Sequence, residues 1–195
     1  MTRPARGISL LEVTFVVGLI STAAALALPQ LAGSLEDVRT RAAVRYLTAR
    51  LQKVRTEAAM RSANVGIRFN AVDGGFTFGT FADGNGDGLR ASDIATGIDS
   101  RLTPDERLSD HFAGVDFGAL AGLPAVDSSS APPGHDPIRT GPSDLVVFTA
   151  LGTATSGSLY VRSASRQYVV RLLGETGRTR ILTFNRLRQT WEPLR

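Results

Sequence analysis

A long apolar segment begins the hydrophobic pattern of the chain. Residues 8–28 read ISLLEVTFVVGLISTAAALAL, a run of 21 residues in which Glu12 is the one charged member. At about 1.5 Å of rise per residue, a helix of this length spans about 30 Å, the thickness of a bilayer's hydrocarbon core. Arg3 and Arg6 precede the run, which predicts that its N-terminal end lies in the cytoplasm. The pattern therefore predicts a transmembrane helix over residues 8–29.

The apolar positions then change to a helical spacing. They recur at intervals of three and four, which places them on one face of a helix: Val44, Leu47, Leu51, Val54 and Ala58. Basic residues fill the other faces, and we expect them to be solvated: Arg41, Arg45, Arg50, Lys53, Arg55 and Arg61. We therefore predict an amphipathic continuation of the helix over residues 30–64, with Asn64 as its stop.

After Asn64 the apolar positions alternate, as they do in strands. Residues 65–69 and 76–81 are predicted to form a β-hairpin. Four later segments carry the same signal: 145–149, 158–162, 167–173 and 179–184. Residues 118–143 are rich in Gly, Pro, Ser and Ala and predict a long loop. The expected fold is α+β, with a long N-terminal helix packed on a small antiparallel sheet in a β-rich head over residues 65–195.

Composition limits the chemistry. The chain has no cysteine and two histidines, His111 and His135, which excludes zinc–thiolate sites and cysteine nucleophiles. A triad could combine His111 with Asp110 or Asp116 and a serine, but no Gly-x-Ser-x-Gly elbow, P-loop or zinc signature is present. We therefore expect no enzyme activity.

Glu12 places a charged side chain inside the apolar segment, which is energetically unfavourable in a membrane. A carboxylate in an apolar segment costs about 2.5–3.5 kcal/mol on membrane-insertion scales, which disfavours an ordinary secretory signal peptide. Cleavage between Gly7 and Ile8 would create an α-amine four residues before Glu12, one helical turn away and opposite in charge. In an array of subunits, the amine of one chain could equally meet the Glu12 of its neighbour.

Residues 7–13, GISLLEV, resemble the cleavage region of type IV pilin-like proteins, whose precursors are cut after a glycine that precedes a hydrophobic helix. The resemblance implies a leader over residues 1–7 that prepilin peptidase removes between Gly7 and Ile8, and N-methylation of Ile8. It also implies assembly roles for Glu12, the fifth residue of the mature chain, and for Pro29, which stands where pilins carry a helix-kinking proline. Ile8 departs from the phenylalanine that the family prefers.

The head narrows this resemblance. The segments RTEAAMRSANVGIRF, VVFTALGTATSGSLYVRS and GETGRTRI are similar to the GspH/FimT branch of minor pilins and pseudopilins. The branch implies a minor pseudopilin of a type II secretion system, single-pass in the bacterial inner membrane with a periplasmic head. Its partners would be other pseudopilins or minor pilins. The alternative is a FimT-like minor pilin of a type IV pilus that binds DNA in natural transformation.

One loop offers candidate metal ligands. Asp83, Asn85 and Asp87 match the first half of an EF-hand calcium loop, with oxygen ligands at alternate positions. The twelfth position should be acidic and is Ile94, and the flanking segments do not read as helices. We therefore expect no cofactor and interpret the segment as a glycine-rich turn. Calcium binding by this loop is the alternative.

Charge is divided unevenly along the chain. Basic and acidic residues number ten and four in residues 1–72, four and twelve in 73–144, and eight and two in 145–195. The last segment holds two arginine pairs at strand spacing, near Trp191: Arg178 with Arg180, and Arg186 with Arg188. Paired guanidiniums on one strand face suit contacts with DNA phosphates. Ion pairs with the acidic middle segment, or simple solvation, are the other interpretations.

Overall fold

A computed structural model of the protein describes residues 9–127 and 130–194. Its first element, α1, is one helix of 52 residues, Leu10–Arg61. The helix ends at Ser62, which has a left-handed φ of 52°, and the backbone N–H of Ala63 donates to the carbonyl of Ala58 at 3.3 Å. This is a Schellman-type C-terminus. The two predicted helical segments therefore form one continuous element.

Short strands and two short helices follow α1. In chain order they are β1 Val65–Val72, β2 Gly75–Ala82, α2 Ala91–Thr96, β3 Ser100–Arg101, α3 Leu108–His111, β4 Asp116–Phe117, β5 Ile138–Arg139, β6 Leu145–Phe148, β7 Gly157–Arg162, β8 Gln167–Leu173, β9 Arg178–Asn185 and β10 Thr190–Pro193. One antiparallel sheet has the order β3-β2-β1-β6, and the other β10-β9-β8-β7-β4, with β5 also paired to β7. The fold is the expected α+β arrangement of a long helix and antiparallel sheets.

The apolar face of α1 is buried against both sheets. All five residues of the predicted stripe, from Val44 to Ala58, belong to the main core. The first sheet contributes Phe69 and Phe148 to that core, and the second contributes Tyr168 and Val170. The C-terminal half of α1 therefore holds the two sheets together.

The predicted long loop packs on the outer face of the second sheet. Within the described part of residues 118–143, Leu123 is buried with Tyr160 and Val169. The indole Nε1 of Trp191 donates to the carbonyl of Pro124 at 3.1 Å. The loop is therefore part of the packed head. It covers one face of the second sheet, and α1 covers the other.

Candidate functional site

The N-terminal part of α1 stands free of the head. Leu10–Ala27 is long and apolar enough to cross a membrane, and none of this window is buried inside the structure. The hydroxyls of Thr14, Ser21 and Thr22 donate to carbonyl oxygens of their own helix at 2.8–2.9 Å. Their polar groups are thereby satisfied without water, as a lipid environment requires. This window fits a membrane anchor by length, composition and exposure.

The residues expected to be processed lie outside the described part. This applies to Gly7 and Ile8, and the side chain of Pro29 is likewise not described. Glu12 lies in the first turn of α1 and is exposed. Among the described residues it has no ion-pair or hydrogen-bond partner.

A polar junction fixes the head to α1 just beyond the free segment. Asp37 Oδ1 accepts a hydrogen bond from the Tyr168 hydroxyl at 2.9 Å, and Arg166 Nε lies 3.5 Å from the same oxygen. Glu36 Oε1 accepts the backbone N–H of Ser165 at 2.6 Å. Hydrogen bonds from the Ser163 hydroxyl and from Ser165 lower the pKa of Glu36. We call these contacts the helix–head junction. They fix the orientation of the head relative to the N-terminal part of α1.

A second polar cluster joins α1 to the acidic middle segment through Glu106. Its Oε2 accepts the Tyr46 hydroxyl at 2.6 Å and lies 3.1 Å from His111 Nε2. Its Oε1 accepts Arg50 Nε at 2.8 Å, and Arg50 Nη2 reaches the same oxygen. Burial raises the pKa of Glu106, but the bonds from Tyr46 and Arg50 outweigh it and leave that pKa below its ordinary value. Arg50 was expected on the solvated face, and the structure instead places it in a partly buried ion pair with Glu106.

The candidate calcium loop is closed by its own backbone. The Asp83 carboxylate accepts backbone N–H groups from Asn85 at 3.2 Å, Gly86 at 2.7 Å and Gly88 at 2.9 Å. It also accepts the side-chain amide of Asn64 at 3.0 Å. Burial raises the pKa of Asp83, but these bonds together lower it below its ordinary value. The carboxylate thus performs the structural task of shaping the turn.

Two further acids complete this loop. Asp87 Oδ2 lies 2.8 Å from Arg90 Nη1. Asp99, 2% exposed, accepts the backbone N–H of Gly84 at 3.1 Å and that of Arg90 at 3.0 Å. Within the described ranges, no group of three or more His, Asp or Glu side chains is placed to hold a metal ion.

The four candidate DNA-binding arginines do not form one patch. All four are exposed, and none but Arg188 has an ion-pair partner in the part of the chain that the structure describes: Arg178, Arg180, Arg186 and Arg188. The first pair lies at the start of β9 and the second follows its end, so the strand from Arg180 to Asn185, about 17 Å at about 3.3 Å per residue, separates them. Trp191 packs on Phe184, with 5.2 Å between ring centroids, and is not a free stacking surface.

The sequence reasoning missed the helix–head junction and the Glu106 cluster. Both join residues far apart in the chain, Asp37 with Tyr168 and Arg50 with Glu106. The one local signal was Tyr46 and Arg50, four residues apart and therefore on one side of a helix.

The fold is that of a pilin-like protein. One N-terminal helix has an apolar first half that is free of the head, and antiparallel sheets pack onto its second half. A family model described as type II transport protein GspH matches residues 43–176. The chain therefore belongs to the GspH family. Comparisons with curated proteins and with solved structures give no match. The matched region begins after the anchor and ends before Arg178, so the family assignment is independent of both the cleavage motif and the arginine pairs.

Proposed function

We propose that this protein is a minor pseudopilin of a type II secretion system. Residues 8–28 hold it in the bacterial inner membrane with the head in the periplasm, where it assembles with other pseudopilins to support protein export. The observation that carries the proposal is the exposed apolar window Leu10–Ala27. It continues directly into the part of α1 onto which the GspH-matched head packs. The protein acts by assembly contacts and performs no chemistry of its own.

Maturation would create the assembly end. Prepilin peptidase hydrolyses the bond between Gly7 and Ile8, and the new α-amine of Ile8 is then methylated. That amine meets the carboxylate of Glu12, in the same chain or in a neighbouring one. The exposed position of Glu12 and its lack of a partner among the described residues support this role. In lipid, the pairing would remove the cost of an isolated charge.

Two substitutions test the proposal. Gly7→Ala is expected to leave unprocessed protein, heavier by the seven-residue leader, in a strain that carries the peptidase. Glu12→Gln keeps the size of the side chain but removes its charge, and we expect normal insertion with reduced co-purification of partner pseudopilins. Thr14→Val is the matched control, since that hydroxyl bonds only within its own helix. Normal processing of the first variant, or undiminished co-purification of the second, would overturn these roles.

The alternative, a FimT-like minor pilin, has one feature in its favour. Arg178 and Arg180 are exposed and free of acidic partners in the described part of the chain, although the distant second pair cannot reinforce them. The full chain in detergent should retard duplex DNA in a salt-sensitive manner if this alternative holds. Replacing Arg178 and Arg180 by Gln should then abolish the shift, whereas replacing Arg45 and Lys53, exposed on α1, should not. We expect no shift at low salt.

A further inference from the structure

The turn between β9 and β10 exposes an apolar side chain between two cations. Leu187 is 97% exposed and lies between Arg186 and Arg188. The turn is held in shape, because Asn185 Oδ1 accepts the backbone N–H groups of Leu187 at 3.0 Å and of Arg188 at 3.2 Å. Gln189, with a φ of 54°, donates its side-chain amide to the carbonyl of Arg186 at 2.7 Å. We call residues 186–189 the hairpin tip, and it presents Leu187 in a fixed position.

The hairpin tip lies at the end of the head that faces the anchor. Near the start of β9, Thr179 lies 3.4 Å from the side-chain amide of Gln52 on α1. Thr183 pairs with Tyr168, whose hydroxyl bonds to Asp37. Contacts along β9 thus move from Gln52 back to Asp37, so β9 runs antiparallel to α1. The next residues after β9 therefore point toward the membrane-spanning window.

The distances bring the tip to the level of the lipid headgroups. From Thr183 to Asn185, the last residue of the strand, β9 extends about 7 Å, at about 3.3 Å per residue, and residues 186–189 continue beyond it. From Asp37 back to Ala27, the end of the apolar window, α1 covers about 15 Å, at about 1.5 Å per residue. The headgroup zone adds about 5–8 Å to each side of the hydrocarbon core. These lengths leave about 8 Å between the end of β9 and the apolar window, and residues 186–189 extend into that gap, whose width is that of the headgroup zone.

Charges around the tip leave it cationic. Asp37 of the helix–head junction is already paired with Arg41 at 2.9 Å and with Arg166 at 3.5 Å. Glu192 accepts the Asn185 side-chain amide at 2.9 Å and lies 3.5 Å from Arg188. Arg186 has no acidic partner among the described residues. Guanidinium groups form bidentate hydrogen bonds with phosphates. A leucine between two of them can enter the less polar region below the lipid phosphates.

We propose that the hairpin tip is a membrane-contact element, in which Leu187 enters the headgroup zone and Arg186 and Arg188 bind phosphates of anionic phospholipids. The contact gives the head a second attachment to the bilayer in which α1 is anchored. It rests on the membrane anchoring proposed above. Its occupant is the lipid leaflet itself, which the anchor holds at the distance of the tip.

The absence of cysteine allows a direct test. Leu187→Cys in the full-length chain, labelled with an environment-sensitive fluorophore, is reconstituted into phosphatidylglycerol–phosphatidylcholine vesicles that contain headgroup-nitroxide lipids. Leu151→Cys is the matched control, because Leu151 is 95% exposed and the adjoining Gly152 lies beside Arg55. Arg55 is about 42 Å along α1 from the end of the apolar window, at about 1.5 Å per residue.

We expect a blue shift and nitroxide quenching at position 187 and neither at position 151. Replacing Arg186 and Arg188 by Gln should reduce the quenching at 187 in anionic vesicles, whereas replacing Arg178 and Arg180 should leave it unchanged. Equal signals at positions 187 and 151 in vesicles that carry the protein would overturn the proposal and leave the anchor intact. Failure of the protein to float with the vesicles would overturn the anchor and, with it, the tip contact.

Discussion

Glu106 offers a sharp test of how the acidic middle segment is held to α1. Glu106→Gln keeps the shape of the side chain but removes its charge and turns one acceptor into a donor. That donor then faces either Arg50 or the pair formed by Tyr46 and His111, all of which approach the wild-type carboxylate. We therefore expect the variant to fold but to lose stability in the head.

The loss follows from the hydrogen bonds and their burial. The Arg50 and Glu106 side chains are 26% and 16% exposed, so the pair is only partly screened by water. Hydrogen bonds to charged groups contribute about 1.5–3 kcal/mol each, and the amide retains part of the set, which leaves a net loss of about 2 kcal/mol. For a domain of this size that corresponds to a fall in Tm of about 4–8 °C.

A matched control is present on the same helix. Glu57 and Arg61 form an ion pair of 2.7 Å with side chains 24% and 47% exposed, and both residues belong to α1. Such i,i+4 pairs contribute about 0.3–0.5 kcal/mol, so Glu57→Gln should lower the Tm by no more than about 2 °C. The fluorescence of Trp191, the single tryptophan, reports unfolding of the head in the detergent-solubilised full chain.

The pH dependence adds a second criterion. Because the folded state lowers the pKa of Glu106, the stabilisation is fully present above the unfolded-state pKa of about 4.3 and is lost as pH falls through the lower folded value. Other carboxyls with lowered pKa, those of Glu36 and Asp83, remain in both proteins and cancel in the difference. The difference in stability between wild type and variant should thus shrink as the pH falls below about 4.3. A fall in Tm no larger than that of Glu57→Gln would refute the reasoning.

Three further outcomes follow from the packing and from the loop. Leu47→Ala, at a fully buried position, should lower the free energy of unfolding by about 2–5 kcal/mol in urea titration. Asp99→Asn removes the charge that accepts the backbone N–H groups of Gly84 and Arg90, and it should speed amide hydrogen exchange there and cost about 1–2 kcal/mol. Millimolar calcium, or its removal by chelator, should leave the Tm unchanged, since the oxygens of Asp83 already accept four N–H donors.

The periodic elements could be predicted because their signals are local. The stripe from Val44 to Ala58 is buried as its spacing indicates, and strands are present at every segment where alternation predicted one. The short elements α2, α3, β3, β4 and β5 were not predicted, because two to six residues are too few to show a period. The strand β10 was also not predicted, since Thr190–Pro193 is short, contains a proline and lacks clear alternation. Its position at the edge of the second sheet is where a proline is tolerated.

The polar connections could not be predicted in the same way. Arg50 follows the pattern of a solvated helix face, and its burial depends on Glu106, which lies 56 positions later in a segment without periodicity. The same holds for Asp37 and Tyr168, separated by 131 positions. Likewise the spacing of Arg178 and Arg180 indicated a cationic strand, but only the structure separates this pair from Arg186 and Arg188.

The helix–head junction gives these separate features a common orientation. Because α1 is one continuous helix and Asp37 bonds to Tyr168 on β8, the head has a fixed orientation relative to the anchor. The assembly with other pseudopilins proposed above needs such a fixed direction, since the head must offer its neighbours defined surfaces. The same direction places the hairpin tip toward the membrane and Arg178 toward the opposite end. The two arginine pairs, alike in sequence, therefore face different surroundings, and the tip pair is the one that the anchored chain brings to an anionic surface.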